Sequence, residues 1–211
     1  MKFKKWVRWF NIINHNILTM QMSYQCYTDL DAYVQSKANG FYKILQLWYS
    51  DHMVMSVRRQ IKAGRESVSF LRLLREMASA PQAITRSRYE AAFDDKMKAN
   101  SIFDKFAGSG NGSLDKMRIE VDIQGIQEVS SNIEAFADRF VAHLDGRGLP
   151  TDRMPSYREL EEALLRLEQL REKYAELFYV AQSTTNIITF RSPRFNIEIE
   201  SFVKKAAKRL S

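Results

Sequence analysis

Apolar positions recur along this chain at helical spacing, and a few turn formers separate the segments they mark. From about Phe3 to Ser36, Trp6, Ile13, Met20, Tyr27 and Val34 repeat every seven residues, with Phe10, Ile17 and Tyr24 as a second row on the same side. That pattern predicts one long helix packing lengthwise on a partner. Asn39-Gly40 supplies a stop. A second helix is expected from about Phe41 to Ala63, with Phe41, Ile44, Leu45, Trp48 and Met55 as its apolar side and Gly64 at its end. A third runs from about Glu66 to Ala78 on Val68, Leu71, Leu74 and Met77, and Pro81 marks a turn. A fourth, less regular one spans Arg86 to Phe106 through Tyr89, Phe93, Met97, Ile102, Phe103 and Phe106.

The stretch GSGNGS, Gly108 to Ser113, interrupts the helical pattern. It matches neither a phosphate-binding loop nor a dinucleotide fingerprint, and no strand is predicted before it, so it reads as a flexible inter-helix loop. Helical spacing resumes at Leu114 and continues to Leu144, with Gly125 as an expected kink. Within it, Ile119 to Ile126 alternates apolar and polar, but a lone strand without a partner is a poor alternative. A loop at residues 146–155 precedes Ser156 and Glu159, which spell a capping box. The helix it opens runs to about Thr184 on Leu160, Leu164, Leu167, Leu170, Tyr174, Leu177 and Ala181. A last helix, about Phe195 to Leu210, carries Lys204, Lys205, Lys208 and Arg209. The fold class is therefore all-α, an up-and-down bundle of about six to seven helices. Residues 1–211 form a single domain, with 195–211 as a C-terminal helical extension.

Composition adds three bounds. Four prolines and eight glycines are few for 211 residues, which favours helix throughout. The net charge of +7 is compatible with nucleic acid, and more simply with ordinary solvated Lys and Arg faces. The single cysteine, Cys26, excludes an intrachain disulfide and a CxxC zinc site. No run of apolar residues is long enough to cross a membrane. The N-terminus is too interrupted by polar residues for a signal peptide, so a cytoplasmic location is expected.

Most bundle chemistries fail on residue spacing. No Glu-x-x-His, no His-Glu-x-x-His, no kinase signature and no Gly-x-Ser-x-Gly elbow occurs. No metal or other cofactor is expected. What remains lies in Ser130 to Arg147, SSNIEAFADRFVAHLDGR. Ile133, Phe136, Ala137, Phe140, Val141 and Leu144 form one apolar stripe there. At about 100° per residue, Arg139 and His143 lie one turn apart on one flank, with Asn132 on the same side. Asp138 and Asp145 fall on the opposite flank.

The block ADRFVAHLD (Ala137 to Asp145), with its Ala-His-x-Asp ending, resembles the HEPN superfamily, and within it the abortive-infection U-type HEPN-like proteins. Looser similarity extends over SVRRQIKAGRESVSFLRLLREMA (Ser56 to Ala78) and over SYRELEEALLRLEQLREKY from Ser156. The resemblance implies an all-helical, often dimeric protein of a phage-defence or toxin–antitoxin system, with RNA and an antitoxin or other protein as partners. Many members are metal-independent ribonucleases with an arginine and a histidine on one helix, meeting across a homodimer. Carried over, His143 is the general acid/base and Arg139 the phosphate clamp; Asn132, Asp138 and Asp145 are supporting. Only three residues separate Arg139 from His143, fewer than active members usually have, and Phe140 follows the arginine. A non-catalytic HEPN-like protein that binds RNA or a protein partner is therefore the second reading.

Overall fold

The computed structural model describes residues 2–34, 40–64, 66–141 and 154–179. Seven α-helices make up most of them: α1 (Lys2–Val34), α2 (Gly40–Ile61), α3 (Phe70–Ser79), α4 (Arg86–Glu90), α5 (Lys96–Ala107), α6 (Lys116–Phe136) and α7 (Tyr157–Tyr179). A 3-10 turn, Pro81–Ala83, lies between α3 and α4, and a π-helical segment, Ala137–Val141, extends α6. The chain is an all-α multi-helix bundle. The helix expected over Phe195–Leu210 lies outside the described residues.

Helix α6 is the central element and packs against α2, α3 and α7. Ile119, Ile126 and Ile133 give it a buried row at seven-residue spacing. The first helix matches its expected seam: Trp6, Phe10, Ile13, Ile17 and Met20 are all buried. Helices α1 and α7 run in opposite directions. Phe178 lies 5.0 Å from Phe10 and 6.1 Å from Phe3, ring centre to ring centre, while Tyr24 donates to Glu161 at 2.5 Å near the other end. Each fully buried aromatic of this seam contributes on the order of 3 kcal/mol, judged by what truncation to alanine costs.

Local chemistry sets the helix starts. At α7 the Ser156 backbone N–H donates to Glu159 Oε2 at 2.7 Å, and the Glu159 N–H returns to Ser156 Oγ at 3.2 Å, the expected capping box. The third helix begins at Phe70 rather than Glu66, because Ser69 Oγ caps it by accepting from the Arg72 N–H at 3.2 Å. The fourth expected helix is two helices. Asp95 accepts from the Lys98 N–H at 3.0 Å and starts α5, leaving Met97 85% exposed. Short acidic side chains compete for backbone donors and favour such caps over helix interiors.

Three further expectations are corrected or made specific. The GSGNGS loop is clasped rather than loose: the Arg86 guanidinium donates to Asn111 O at 2.8 Å, Gly108 O at 3.2 Å and Asp104 at 2.6 Å. Gly108 and Gly110 take φ of 82° and 77°, which L side chains rarely adopt. Gly125 lies inside α6, which runs unbroken from Lys116 to Phe136. A Cβ there would lie 2.6 Å from Arg166 Nη2, so the glycine makes room for a guanidinium. Finally, Ile44 and Trp48 do not face the core. Helix α2 buries Tyr49, Met53, Val54, Val57 and Ile61 instead. The alternation at Ile119–Ile126 is helical, inside α6. Among the described residues, no helix is long and apolar enough to cross a membrane.

Candidate functional site

The end of α6 carries the site candidates. Its apolar stripe is as expected where described: Ile133, Phe136 and Ala137 are buried. The α-helix, however, stops at Phe136 and gives way to the π-helical segment. A π turn is wider than an α turn, so the 100° register assumed for Arg139 does not hold through it. Such turns recur at functional sites.

Asp138 points to α2. Its Oδ1 accepts from Arg58 Nε at 2.6 Å and its Oδ2 from Lys62 Nζ at 2.8 Å. Arg58 and Lys62 stand one turn apart, so both cations reach one carboxylate. The Lys62 hydrogen bond and the Arg58 guanidinium hold the Asp138 carboxyl below its usual range, against a smaller opposing effect of burial. Asn132 points to α7: its Nδ2 donates to Glu159 Oε1 at 2.9 Å. Glu159 is also lowered, first by the Ser156 backbone N–H and then by Asn132 and the Ser156 hydroxyl, with burial opposing. Both supporting residues thus tie the α6 end to its neighbours. Arg139 is exposed and makes no ion pair among the described residues. Exposed Arg59 lies on the last turn of α2 beside Arg58. His143 and Asp145 lie outside the described residues.

Other titratable groups have structural explanations. His52 Nε2 is 3.1 Å from Ser23 Oγ, and burial followed by the Arg59 charge lowers its pKa. Ser23 Oγ also lies 3.0 Å from the Thr19 carbonyl oxygen, to which it can donate, as helix serines commonly do one turn back. Burial, then Asp29, raises the Cys26 thiol, which disfavours a reactive thiolate. No group of three or more His, Cys, Asp and Glu suited to a metal occurs among the described residues.

The strongest polar cluster was missed in sequence. Buried Asp122 on α6 accepts from Lys173 Nζ at 2.5 Å and from the Tyr174 hydroxyl at 3.0 Å, and Arg166 Nη2 stands 3.5 Å away. Burial, with Asp122 beside it, raises the Tyr174 phenol well above its usual pKa. Two hydrogen bonds and the nearby Arg166 charge satisfy this carboxylate, so it locks α6 to α7. The signal was present: Asp122 lies in register with Ile119, Ile126 and Ile133 on the buried row.

No family model matches this chain, and neither a curated protein nor a solved structure matches it.

Proposed function

We propose that this chain is a HEPN-like protein that binds RNA at the α6 end and cleaves it without a metal, with His143 as general acid/base and Arg139 as phosphate clamp. The observation that supports this most is the state of Arg139. It is exposed and free of ion pairs among the described residues, at a π-helical end that Arg58 and Lys62 reach through Asp138. An unpaired guanidinium can hold a phosphate by two parallel hydrogen bonds and stabilise charge in the transition state. RNA brings its own nucleophile, the 2′-hydroxyl, so a histidine that exchanges protons near neutral pH suffices for the rest. Asp138 and Asn132 enter this reading as positioning residues that fix the α6 end against α2 and α7. A homodimer, an antitoxin or other protein partner, a cytoplasmic location and a role in phage defence or a toxin–antitoxin system belong to the same proposal.

The engagement of Asp138 and Asn132 in helix-to-helix contacts supports the second reading, a non-catalytic protein that binds RNA or a protein partner in a regulatory role. Labelled RNA with purified protein in excess chelator separates the two. Cleavage abolished by His143→Ala supports the ribonuclease. RNA binding without cleavage supports the second reading, and neither binding nor cleavage refutes the RNA assignment.

A further inference from the structure

Charge is unevenly distributed along this chain. Residues 1–28 contain four Lys and Arg and no acid, and residues 58–76 contain six against two Glu. These two stretches hold a net charge of +8, while the rest of the chain holds 22 Lys and Arg against 23 Asp and Glu. The fold sets the two stretches side by side. Helices α1 and α2 run antiparallel, with Ser23 Oγ 3.1 Å from His52 and Tyr27 stacked on Tyr49 at 3.9 Å. Where α2 ends, α3 takes its place beside α1. Lys5 donates to Glu76 at 2.7 Å, and the Lys5 ammonium and the Arg72 guanidinium lie 4.2 Å and 4.5 Å from the centre of the Trp9 ring.

Three cations of this region are exposed and make no ion pair among the described residues: Lys4, Arg8 and Arg59. Lys4 and Arg8 share one face of α1 at i and i+4. Arg59 stands on the α1 side of α2, because its charge, after burial, helps to lower the pKa of His52, and His52 meets Ser23 of α1. Arg58 turns the other way, to Asp138 at the α6 end. The last turn of α2 therefore joins the candidate site to the α1 face. At 1.5 Å per residue on antiparallel helices, Arg8 lies about 12 Å beyond Arg59, and Lys4 about 18 Å. The acids beside this path are mostly engaged: Glu76 pairs with Lys5, and Asp138 with Arg58 and Lys62. Glu66 is exposed and makes no ion pair among the described residues.

A linear polyanion fits this row better than a membrane or a protein does. The aromatic residues that would anchor the start of α1 in a bilayer, Trp6, Trp9 and Phe10, are buried in the bundle. A protein interface needs an apolar centre, and among the described residues of α1 the exposed large hydrophobic side chain is Ile12, at 44%. Spaced, unpaired cations bind a phosphate backbone by releasing its counterions, whatever the base sequence. We propose that Arg59, Arg8 and Lys4 form a track that holds the RNA backbone beyond the α6 end, so that long strands bind more tightly than short ones. The track rests on the RNA-binding part of the function proposed above and does not require cleavage.

Fluorescence anisotropy of the full chain with two labelled RNAs, about 20 and about 4 nucleotides long, tests this in excess chelator across a salt series. The double variant Arg8→Glu/Arg59→Glu, with unchanged helical circular dichroism, is expected to weaken binding of the longer RNA at least about tenfold and to lower its salt slope by about 2. Binding of the shorter RNA is expected to stay the same. Arg8→Lys/Arg59→Lys keeps the charges and is expected to bind like the wild type. Lys96→Glu/Lys98→Glu makes an equal change of charge on α5, which packs against α4, α6 and α7, and is expected to cost less than about threefold. An affinity for the longer RNA that ignores the reversal overturns the track, and so does an equal loss in the α5 variant, which would make net charge the cause. Phosphatidylserine vesicles or polyglutamate bound as tightly as the longer RNA overturn the assignment to RNA. Binding that ignores the reversal but falls in Arg139→Ala sinks the track and leaves the function proposed above standing. Binding that the reversal weakens, without any cleavage, supports the track and sinks the ribonuclease. No RNA binding by the wild type overturns both.

Discussion

Gly125→Ala is a perturbation whose sign depends on one neighbour. Mid-helix, replacing glycine by alanine stabilises by about 1 kcal/mol through helix propensity. Here the new Cβ would meet Arg166 Nη2 at 2.6 Å and Nε at 2.9 Å. The guanidinium must swing away, which breaks its 3.5 Å approach to Asp122. Asp122 is nearly fully buried while Arg166 is about a quarter exposed, so losing that pair costs about 1–2 kcal/mol, between surface and buried values. Loss therefore matches or exceeds gain, and Gly125→Ala in the native chain is expected to be neutral to destabilising by about 1 kcal/mol. In an Arg166→Met background the clash and the pair are both gone, and the same substitution is expected to stabilise by about 1 kcal/mol. At roughly 2–4 °C per kcal/mol for a chain of this size, thermal melts of the four proteins resolve the difference. The explanation of Gly125 is refuted if Gly125→Ala raises Tm equally in both backgrounds.

Asp122→Ala removes the acceptor shared by Lys173, Tyr174 and Arg166, and leaves a buried hydroxyl unpaired. It is expected to cost about 3 kcal/mol, a Tm fall of roughly 6–12 °C, and a fall under 2 °C would show that the cluster is not a lock. Asp138→Asn is expected to lower Tm by about 2 °C at neutral pH, since the Arg58 and Lys62 pairs are partly exposed. The Asp138 carboxyl is depressed in the fold, so its contribution is full above the unfolded carboxylate pKa of about 4 and disappears as pH falls through the lower folded value. Melts of wild type and variant should therefore converge below about pH 4, and a constant gap across pH contradicts the pairing. Glu159→Ala removes both the α7 cap and the Asn132 contact. A loss of about 1 kcal/mol is expected in chemical denaturation, with Asn132→Ala adding little on top because the two share one interaction.

The fold was largely legible because burial here follows period. The apolar rows of α1 name Trp6, Phe10, Ile13, Ile17 and Met20, all buried, and Ser156 with Glu159 names the start of α7. Reading failed at one local cap and wherever a pairing partner lies far off in sequence. The expected fourth helix breaks at Asp95, whose acceptance of the Lys98 N–H is a local preference that the apolar spacing outweighed on paper. Gly125 reads as a kink until Arg166, 41 residues later, is seen to need its space. Helix α2 misled because Ile44 and Trp48 are as hydrophobic as core residues, and hydrophobicity alone does not say which partner covers a face. At the candidate site, Arg139 and Asp138 fall on the expected segment. The Asp138 contacts to Arg58 and Lys62 and the π-helical turn depend on how α2 and α6 meet, which no spacing within α6 encodes.

We propose that the α6 end works on RNA through His143 and Arg139. The most direct measurement is single-turnover cleavage of labelled RNA in excess chelator by wild type, His143→Ala and Arg139→Ala. Loss of a general acid/base commonly lowers a rate by ~10²–10⁴. The expected result is a fall of that size for His143→Ala, with weakened RNA binding as well as slower cleavage for Arg139→Ala. Cleavage at the same rate by all three proteins, or none by the wild type, would contradict it.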